Sequence, residues 1–229
     1  MRRRKVAMGI PNGIVWFQAF IGLLEAGAIP VLLDPGEPLA AQKEAALHLG
    51  ASWLWTGTDM HALPLRLRVR REDLCLVKVT SGSTGRPRGL AFTHGQMLAD
   101  GRQVCRSMGI REDDLNLAVI PFGHSYGLGN LVLPLIDQGT AIVCAESPLP
   151  SGLALDCAKW KPTVFPLVPS LMQALVRADL HLGDFSPLRL VIAAGGVISP
   201  QGAKSFCERF AQSVHCFYGS SDTGGISYD

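Results

Sequence analysis

Apolar positions along the chain fall into short continuous runs separated by longer stretches of mixed polarity. The runs at 29–33, 52–55, 74–79, 90–93, 115–120, 141–144, 163–165, 188–193 and 213–217 are three to six residues long. Such short runs, bounded by Gly, Pro, Asp and Ser, predict strands buried on both faces. Between them, 12–26, 38–49, 94–108, 127–137, 153–160, 170–178 and 200–211 carry helical spacing. Asn12 is placed to cap the first helix and Gly27 to end it. The segment 56–71 has no clean period and carries Arg66, Arg68, Arg70 and Arg71, which predicts an exposed connection. Strands alternating with helices imply parallel pairing, hence an α/β chain with doubly wound, mostly parallel sheets and flanking helices. Subregions of about 1–72 and 73–229 are expected within it. In such sheets ligands sit beyond the carboxyl ends of the strands.

Composition narrows the class. With 48% apolar and 17% charged residues over 229 positions, the chain can bury a core and is not disordered. Its net charge of +2 names no partner. The run Arg2-Arg3-Arg4-Lys5 reads as a solvated terminus, and no aromatic-interleaved basic patch points to nucleic acid. Cys75, Cys105, Cys144, Cys157, Cys207 and Cys216 form no Cys-x-x-Cys pair, and mostly apolar surroundings suggest reduced thiols in a cytoplasmic protein. The arginines followed by 14–17, 21–24 and 26–28 imitate a secretory signal. Gln18 and Glu25 interrupt that run and a strand follows at once, so a buried helix is the better reading. No run approaches the ~18 apolar residues of a membrane span.

The candidate chemistry lies in loops after strands. From Thr80 to Gly89 the chain reads Thr80, Ser81, Gly82, Ser83, Thr84, Gly85, Arg86, Pro87, Arg88, Gly89. Glycines let successive amides turn inward, and amides, hydroxyls and guanidinium together suit a phosphate. A solvated turn would have a similar composition. The spacing is neither that of the common phosphate loop ending in Gly-Lys-Ser/Thr nor that of a dinucleotide fold. A second loop, Pro121 to Gly127, contains Gly123-His124-Ser125-Tyr126-Gly127, which fits the Gly-x-Ser-x-Gly elbow of serine hydrolases, with Asp184 and His215 downstream. Pro121-Phe122 intervenes before the elbow, however, and that reading leaves 80–89 unexplained. Two further loops are Ala193 to Val197 and Cys216 to Gly225.

Taken together, these segments resemble the adenylate-forming superfamily of acyl- and aryl-CoA ligases, luciferases and peptide-synthetase adenylation domains. Thr80 to Gly89 is similar to the family's signature loop, and His94 falls where the family has a His. Pro121 to Gly127 looks like its Pro-x-Phe-His-x-x-Gly segment, Ala193 to Val197 like its adenine-side glycine segment, and Tyr218 to Asp222 like its Tyr-Gly-x-Thr-Glu motif. Residues 10–31 resemble the family's helix–strand start.

The resemblance implies activation of a carboxylic acid by ATP to an acyl-adenylate, then transfer to CoA or the phosphopantetheine thiol of an acyl carrier protein. It implies nucleotide binding by Thr80, Ser81, Gly82, Ser83, Thr84, Gly85, Arg88, Gly195, Gly196, Val197, Phe217, Tyr218, Gly219, Ser220 and Ser221. His124, Arg88 and Asp222 would act in catalysis, His124, Tyr126 and Gly127 would meet the acid, and Asp222 with Thr84 would hold Mg²⁺. Arg88 stands where the family usually has Lys, and Ser221-Asp222 where it has Thr-Glu. Small apolar residues at 193–198 and no visible acidic partner for an α-ammonium favour a fatty or aryl acid over an amino acid. The family's ribose-gripping aspartate, hinge and C-terminal lysine-bearing domain would come after Asp229, so a partial N-terminal domain is expected. A non-catalytic nucleotide-binding module and a Ser125 hydrolase are the alternatives.

Overall fold

The computed structural model describes residues 3–64, 69, 73–81, 86–180 and 185–229, with the backbone alone of Ser81. Gly82, Ser83, Thr84, Gly85 and Asp184 lie outside the described residues, as do the arginines at 66, 68, 70 and 71. The chain forms two compact units, one of residues 1–99 with 121–125, the other of 100–120 with 126–229.

The first unit holds a six-stranded sheet in the order β4-β3-β1-β2-β5-β6. These strands are β1 (Lys5–Met8), β2 (Ile29–Leu32), β3 (Trp53–Trp55), β4 (Met60–Ala62), β5 (Leu74–Ser81) and β6 (Pro87–Thr93). β1 pairs in parallel with β2 and β3, and β2 with β5, so the sheet joins residues on both sides of position 72. β4 and β6 run antiparallel at the two edges. The edge strand β4 lies inside the segment expected to be an exposed connection, and Met60 and Ala62 are exposed.

β1 is central and was not predicted. Val6, Ala7 and Met8 are at most 1% exposed, but a four-residue strand attached to an arginine run shows no pattern of its own. The Lys5 ammonium reaches the Leu49 carbonyl at 2.8 Å, and burial lowers its pKa. Helix α1 (Ile14–Glu25) buries Trp16, Ala19, Phe20 and Leu23, one stripe at helical spacing. Trp16 stacks on Phe20 at 4.8 Å and meets Phe122 edge-on at 5.4 Å. The helix imitating a secretory signal is thus fixed in a core, and among the described residues no helix is long and apolar enough to cross a membrane. Gly27, at φ 64°, ends it as expected. Helix α2 (Leu39–His48) follows β2, and α3 (His94–Met108) follows β6.

The second unit's sheet has the order β12-β11-β10-β9-β7-β8. Its strands are β7 (Leu115–Ala118), β8 (Ala141–Cys144), β9 (Val164–Leu167), β10 (Leu190–Ala193), β11 (Val214–Ser220) and β12 (Gly224–Tyr228). All neighbouring pairs are parallel except β11–β12. Helices α6 (Pro150–Trp160), α7 (Pro169–Arg177) and α8 (Pro200–Phe210) connect the strands. Leu117, Phe165, Leu167, Val191, Phe185, Phe206 and Phe210 form one buried cluster. Two six-stranded, mostly parallel sheets with helices confirm the predicted fold class.

The helical stretch after β7 is α4 (Ser125–Gly127), a π turn at Leu128–Val132, and α5 (Leu133–Gln138). Pro134 cannot donate to the Asn130 carbonyl, so one bond of a regular helix is missing there. At the amino ends of the strands, Asp114 is 4% exposed and accepts from Arg111 N (2.8 Å), Thr163 Oγ1 (2.7 Å) and Arg189 Nε (2.8 Å), and also from Arg189 Nη2. Cys75, Cys105 and Cys157 are buried free thiols, while Cys207 and Cys216 are exposed. Burial pushes the Cys75 and Cys105 thiols up to about 11.

Candidate nucleotide-binding site

In the first unit, the stretch expected to be a loop over 80–89 has antiparallel strand on both sides of 82–85. β5 and β6 pair Val79 with Gly89, Thr80 with Arg88 and Ser81 with Pro87. Turn-forming residues are dense only at 82–85, while Val79 and Thr80 carry the β-branching that suits a strand. Arg88 is exposed and Thr80 half-buried. Gly89 is needed for packing, since a Cβ there would meet Leu49 Cδ2 at 2.8 Å and Val77 Cγ1 at 3.0 Å. Lys78, 1% exposed, lies with Nζ 4.5 Å from the Phe92 ring centre. Thr93 and Gln96 then form a reciprocal capping box: Gln96 N donates to Thr93 Oγ1 (3.2 Å) and Thr93 N to Gln96 Oε1 (2.9 Å). This opens α3, whose first residue, His94, is exposed.

The His124 loop belongs to the same unit. Phe122 is fully buried between Trp16 and Phe17, the latter 5.0 Å away. Its backbone N donates to Asn12 Oδ1 at 2.7 Å. Asn12 therefore does not cap α1, as the sequence suggested; Gly13 occupies the cap position with no side-chain bond. Gly123 lies so close to β2 that a Cβ would stand 3.0 Å from the Leu33 carbonyl. His124 follows, half-exposed, with Nε2 3.3 Å from Asp34 Oδ2.

In the second unit, Ala193 of β10 lies beside Cys216 of β11, so the segments that continue from both strands leave the same end of the sheet. Gly195 takes φ +82°, a turn that glycine makes without strain, and Val197 is 95% exposed. The segment 216–225, expected to be a loop, is a hairpin. β11 continues through Ser220 and pairs Phe217 with Tyr228, Tyr218 with Ser227, Gly219 with Gly225 and Ser220 with Gly224, with a bulge at Tyr218–Gly219. A Cβ on Gly219 would stand 2.8 Å from the Gly224 carbonyl.

Tyr218 is 64% exposed. Ser220 Oγ is occupied within the turn, by Thr223 N (3.2 Å) and Thr223 Oγ1 (2.9 Å). Asp222 is exposed at the tip, and Ser221 is half-buried. Asp100 Oδ1 accepts from Gly225 N at 3.1 Å, tying this hairpin to α3. Gly224, at φ +77°, leaves room for that carboxylate, because a Cβ would stand 2.2 Å from Asp100 Oδ1.

Tyr126 donates to the Ile192 carbonyl at 2.9 Å and its ring lies 6.0 Å from Phe217, beneath the hairpin. Burial pushes its phenol pKa up. Gly127 is buried. Among the described residues no three His, Cys, Asp or Glu side chains gather as a metal site. Of the hydrolase residues, His215 lies with Nδ1 3.1 Å from the Asp229 carbonyl and stacks on Tyr228.

Comparison with known proteins decides the family. The profile described as "AMP-binding enzyme" matches residues 58–229. The chain belongs to the AMP-binding enzymes. It is 30% identical over 176 residues to a benzoate–CoA ligase of Thauera aromatica, covering 75% of this chain and 33% of that protein. It is 28% identical over 191 residues to a feruloyl-CoA synthase of an Amycolatopsis species, covering 82% of this chain and 38% of that one. The chain thus spans about a third of the length of these relatives. Its fold matches the crystal structure of a benzoate CoA ligase from Burkholderia xenovorans LB400 with TM-score 0.82 at 19% identity, over 98% of this chain and 52% of that one.

Within this AMP-binding chain the candidate residues fall into two sets. Thr80, Arg88 and His124 belong to the first unit; Tyr126, Gly127, 195–197 and 217–222 belong to the second. Asp34 and Asp100, which hold candidate segments in place, were not singled out from the sequence, and Asn12 was read only as a helix cap. The available signal was local: Asp34-Pro35-Gly36 directly after a strand is a combination in which an Asx turn fixes a carboxylate.

Proposed function

We propose that this chain carries the nucleotide-binding part of an ATP-dependent acid–thiol ligase, which activates a fatty or aryl carboxylate as an acyl-adenylate and passes the acyl group to CoA or a carrier-protein phosphopantetheine. The observation that carries the reading is the juxtaposition in the second unit. The glycine turn at Gly195, the open Val197 and the exposed Tyr218 ring continue from paired strands, where a planar base could rest.

Residue roles follow from chemistry and family resemblance. Arg88, exposed opposite Thr80, would give a phosphate two parallel N–H donors where the family's lysine gives a point charge. The 80–89 segment would hold phosphoryl oxygens as charge grows on them, and His124 would orient the acid or the α-phosphate. Asp222 suits Mg²⁺ only as a single carboxylate completed by water and phosphate oxygens, the usual form of a magnesium site at a nucleotide. The ion, when bound, neutralises phosphate charge.

Calorimetric titration with ATP and Mg²⁺ tests the binding, and pyrophosphate exchange with a panel of acids tests the chemistry. The names of the relatives place benzoate and ferulate first in the panel, and fatty acids next. Gly82→Val with Gly85→Val should abolish ATP binding, and unchanged affinity would refute the loop assignment. ATP binding without exchange for any acid would leave a nucleotide-binding module. Labelling of Ser125 by a fluorophosphonate would favour the hydrolase.

A further inference from the structure

The sequence offers His124 as a lone imidazole in a glycine-containing loop. The fold gives it a partner from a strand end ninety residues away. Asp34 Oδ2 lies 3.3 Å from His124 Nε2, while Asp34 Oδ1 accepts from Gly36 N at 2.8 Å, closing an Asx turn. One oxygen thus anchors the carboxylate to its own loop and leaves the other for the imidazole.

Both loops are held independently of this contact. Gln42, 6% exposed, donates through Nε2 to the Glu37 carbonyl at 2.8 Å and the Pro35 carbonyl at 3.5 Å, binding the loop that carries Asp34. Its Oε1 is buried without a hydrogen-bond partner among the described residues, and it faces Gly9, where any Cβ would stand 1.8 Å away. On the other side, Asn12 holds Phe122 N, Gly123 approaches the Leu33 carbonyl, and His124 N donates to Pro121 O at 3.1 Å. The imidazole and the carboxylate are brought together by two braced backbones.

We infer that Asp34 is the positioning residue for His124: it fixes the imidazole as the Nε2–H tautomer and leaves Nδ1 as the ring's one free point of exchange with a bound acid or phosphate. A carboxylate can only accept, so the proton of the contact must sit on Nε2. Nδ1 then offers a lone pair in the neutral ring and an N–H in the imidazolium, always in the direction set by Asp34. The tautomer follows from geometry alone; its catalytic use rests on the ligase reading above.

The test is ¹⁵N NMR of the histidine rings in this chain, at a pH high enough for neutral imidazoles, with His124 assigned by its disappearance in His124→Gln. The wild type should show the Nε2–H form as the major tautomer. Asp34→Asn keeps a carbonyl for Gly36 N and turns an amide N–H toward Nε2, so the major tautomer should invert to Nδ1–H. Asp34→Ala should give a free-imidazole mixture, with the other histidine signals unmoved as a check on folding. An Nδ1–H wild type, or a tautomer unchanged in Asp34→Asn, overturns the proposal. ATP titration of the same samples separates it from the function: a wild type that binds no ATP, with the tautomer still inverting in Asp34→Asn, sinks the ligase reading and leaves Asp34's role standing.

Discussion

Replacing Asp114 by Ala should destabilise the second unit markedly. The carboxylate is 4% exposed and serves Arg189, Thr163 Oγ1 and Arg111 N at once. Its loss leaves Arg189 with the Gly109 carbonyl, and removes a tie between β7 and the turn before β9. Removing one partner of a buried ion pair costs about 3–5 kcal/mol. The Arg189 side chain is 32% exposed, and water takes back part of that loss, so about 2–4 kcal/mol is expected. At about 2–4 °C per kcal/mol for a chain of this size, the melting temperature should fall by roughly 5–15 °C.

The pH dependence has a definite sign. Burial alone would raise the Asp114 pKa, but the Arg189, Arg111 N and Thr163 bonds hold it below the ordinary carboxylate value. A group whose folded pKa is depressed stabilises fully above its unfolded pKa, about 3.9, and loses that contribution as pH falls through the folded value. Urea unfolding followed by circular dichroism should show a wild-type advantage that is flat near neutrality and shrinks below about pH 4. An advantage under about 0.5 kcal/mol, the size of an exposed pair, or one independent of pH, would refute the reasoning.

Two further outcomes follow from close contacts and a third from an exposed position. Gly224→Ala sets a Cβ against Asp100 at a positive φ, at a strain of about 1–2 kcal/mol before any clash; ATP affinity should drop, and Gly224→Ala with Asp100→Ala should recover part of it by calorimetry. Gly89→Ala presses on Leu49 and Val77, with an expected cost of about 1–3 kcal/mol in denaturant titration. Arg88→Ala, at an exposed position, should lower ATP affinity with the melting temperature unchanged, and Arg88→Lys should restore binding only in part.

The sequence revealed the fold class because most strands are short apolar runs and most helices carry a 3.6-residue stripe, as with Trp16, Ala19, Phe20 and Leu23. It concealed β1, which continues directly from an arginine run, and β4, whose Met60-His61-Ala62 is no apolar run. It misjudged both glycine-rich segments for one reason. Gly and Ser mark turns, but antiparallel pairing carries Thr80, Ser81 and 87–89 of the first segment, and most of 216–225, as strands. Tertiary hydrogen bonds override local preference there. Asn12 shows the same effect at one residue, its side chain taken from the helix by the Phe122 amide. The candidate residues were named from the order and spacing of motifs; what holds their segments was not legible, because Asp34 and Asp100 act across 90 and 125 positions.

Each sheet reserves antiparallel pairing for its edges, and in each unit one such antiparallel edge pair carries residues proposed above to bind nucleotide. An edge ladder is bonded on one side only, so its amides open to solvent more readily than those of the central parallel strands. Nucleotide should therefore announce itself by slowed deuterium uptake confined to 74–93 and 214–228, with β1, β2, β9 and β10 unaffected. On the proposed function, occupancy would then be read from the fringes of the sheets while the interior stays silent.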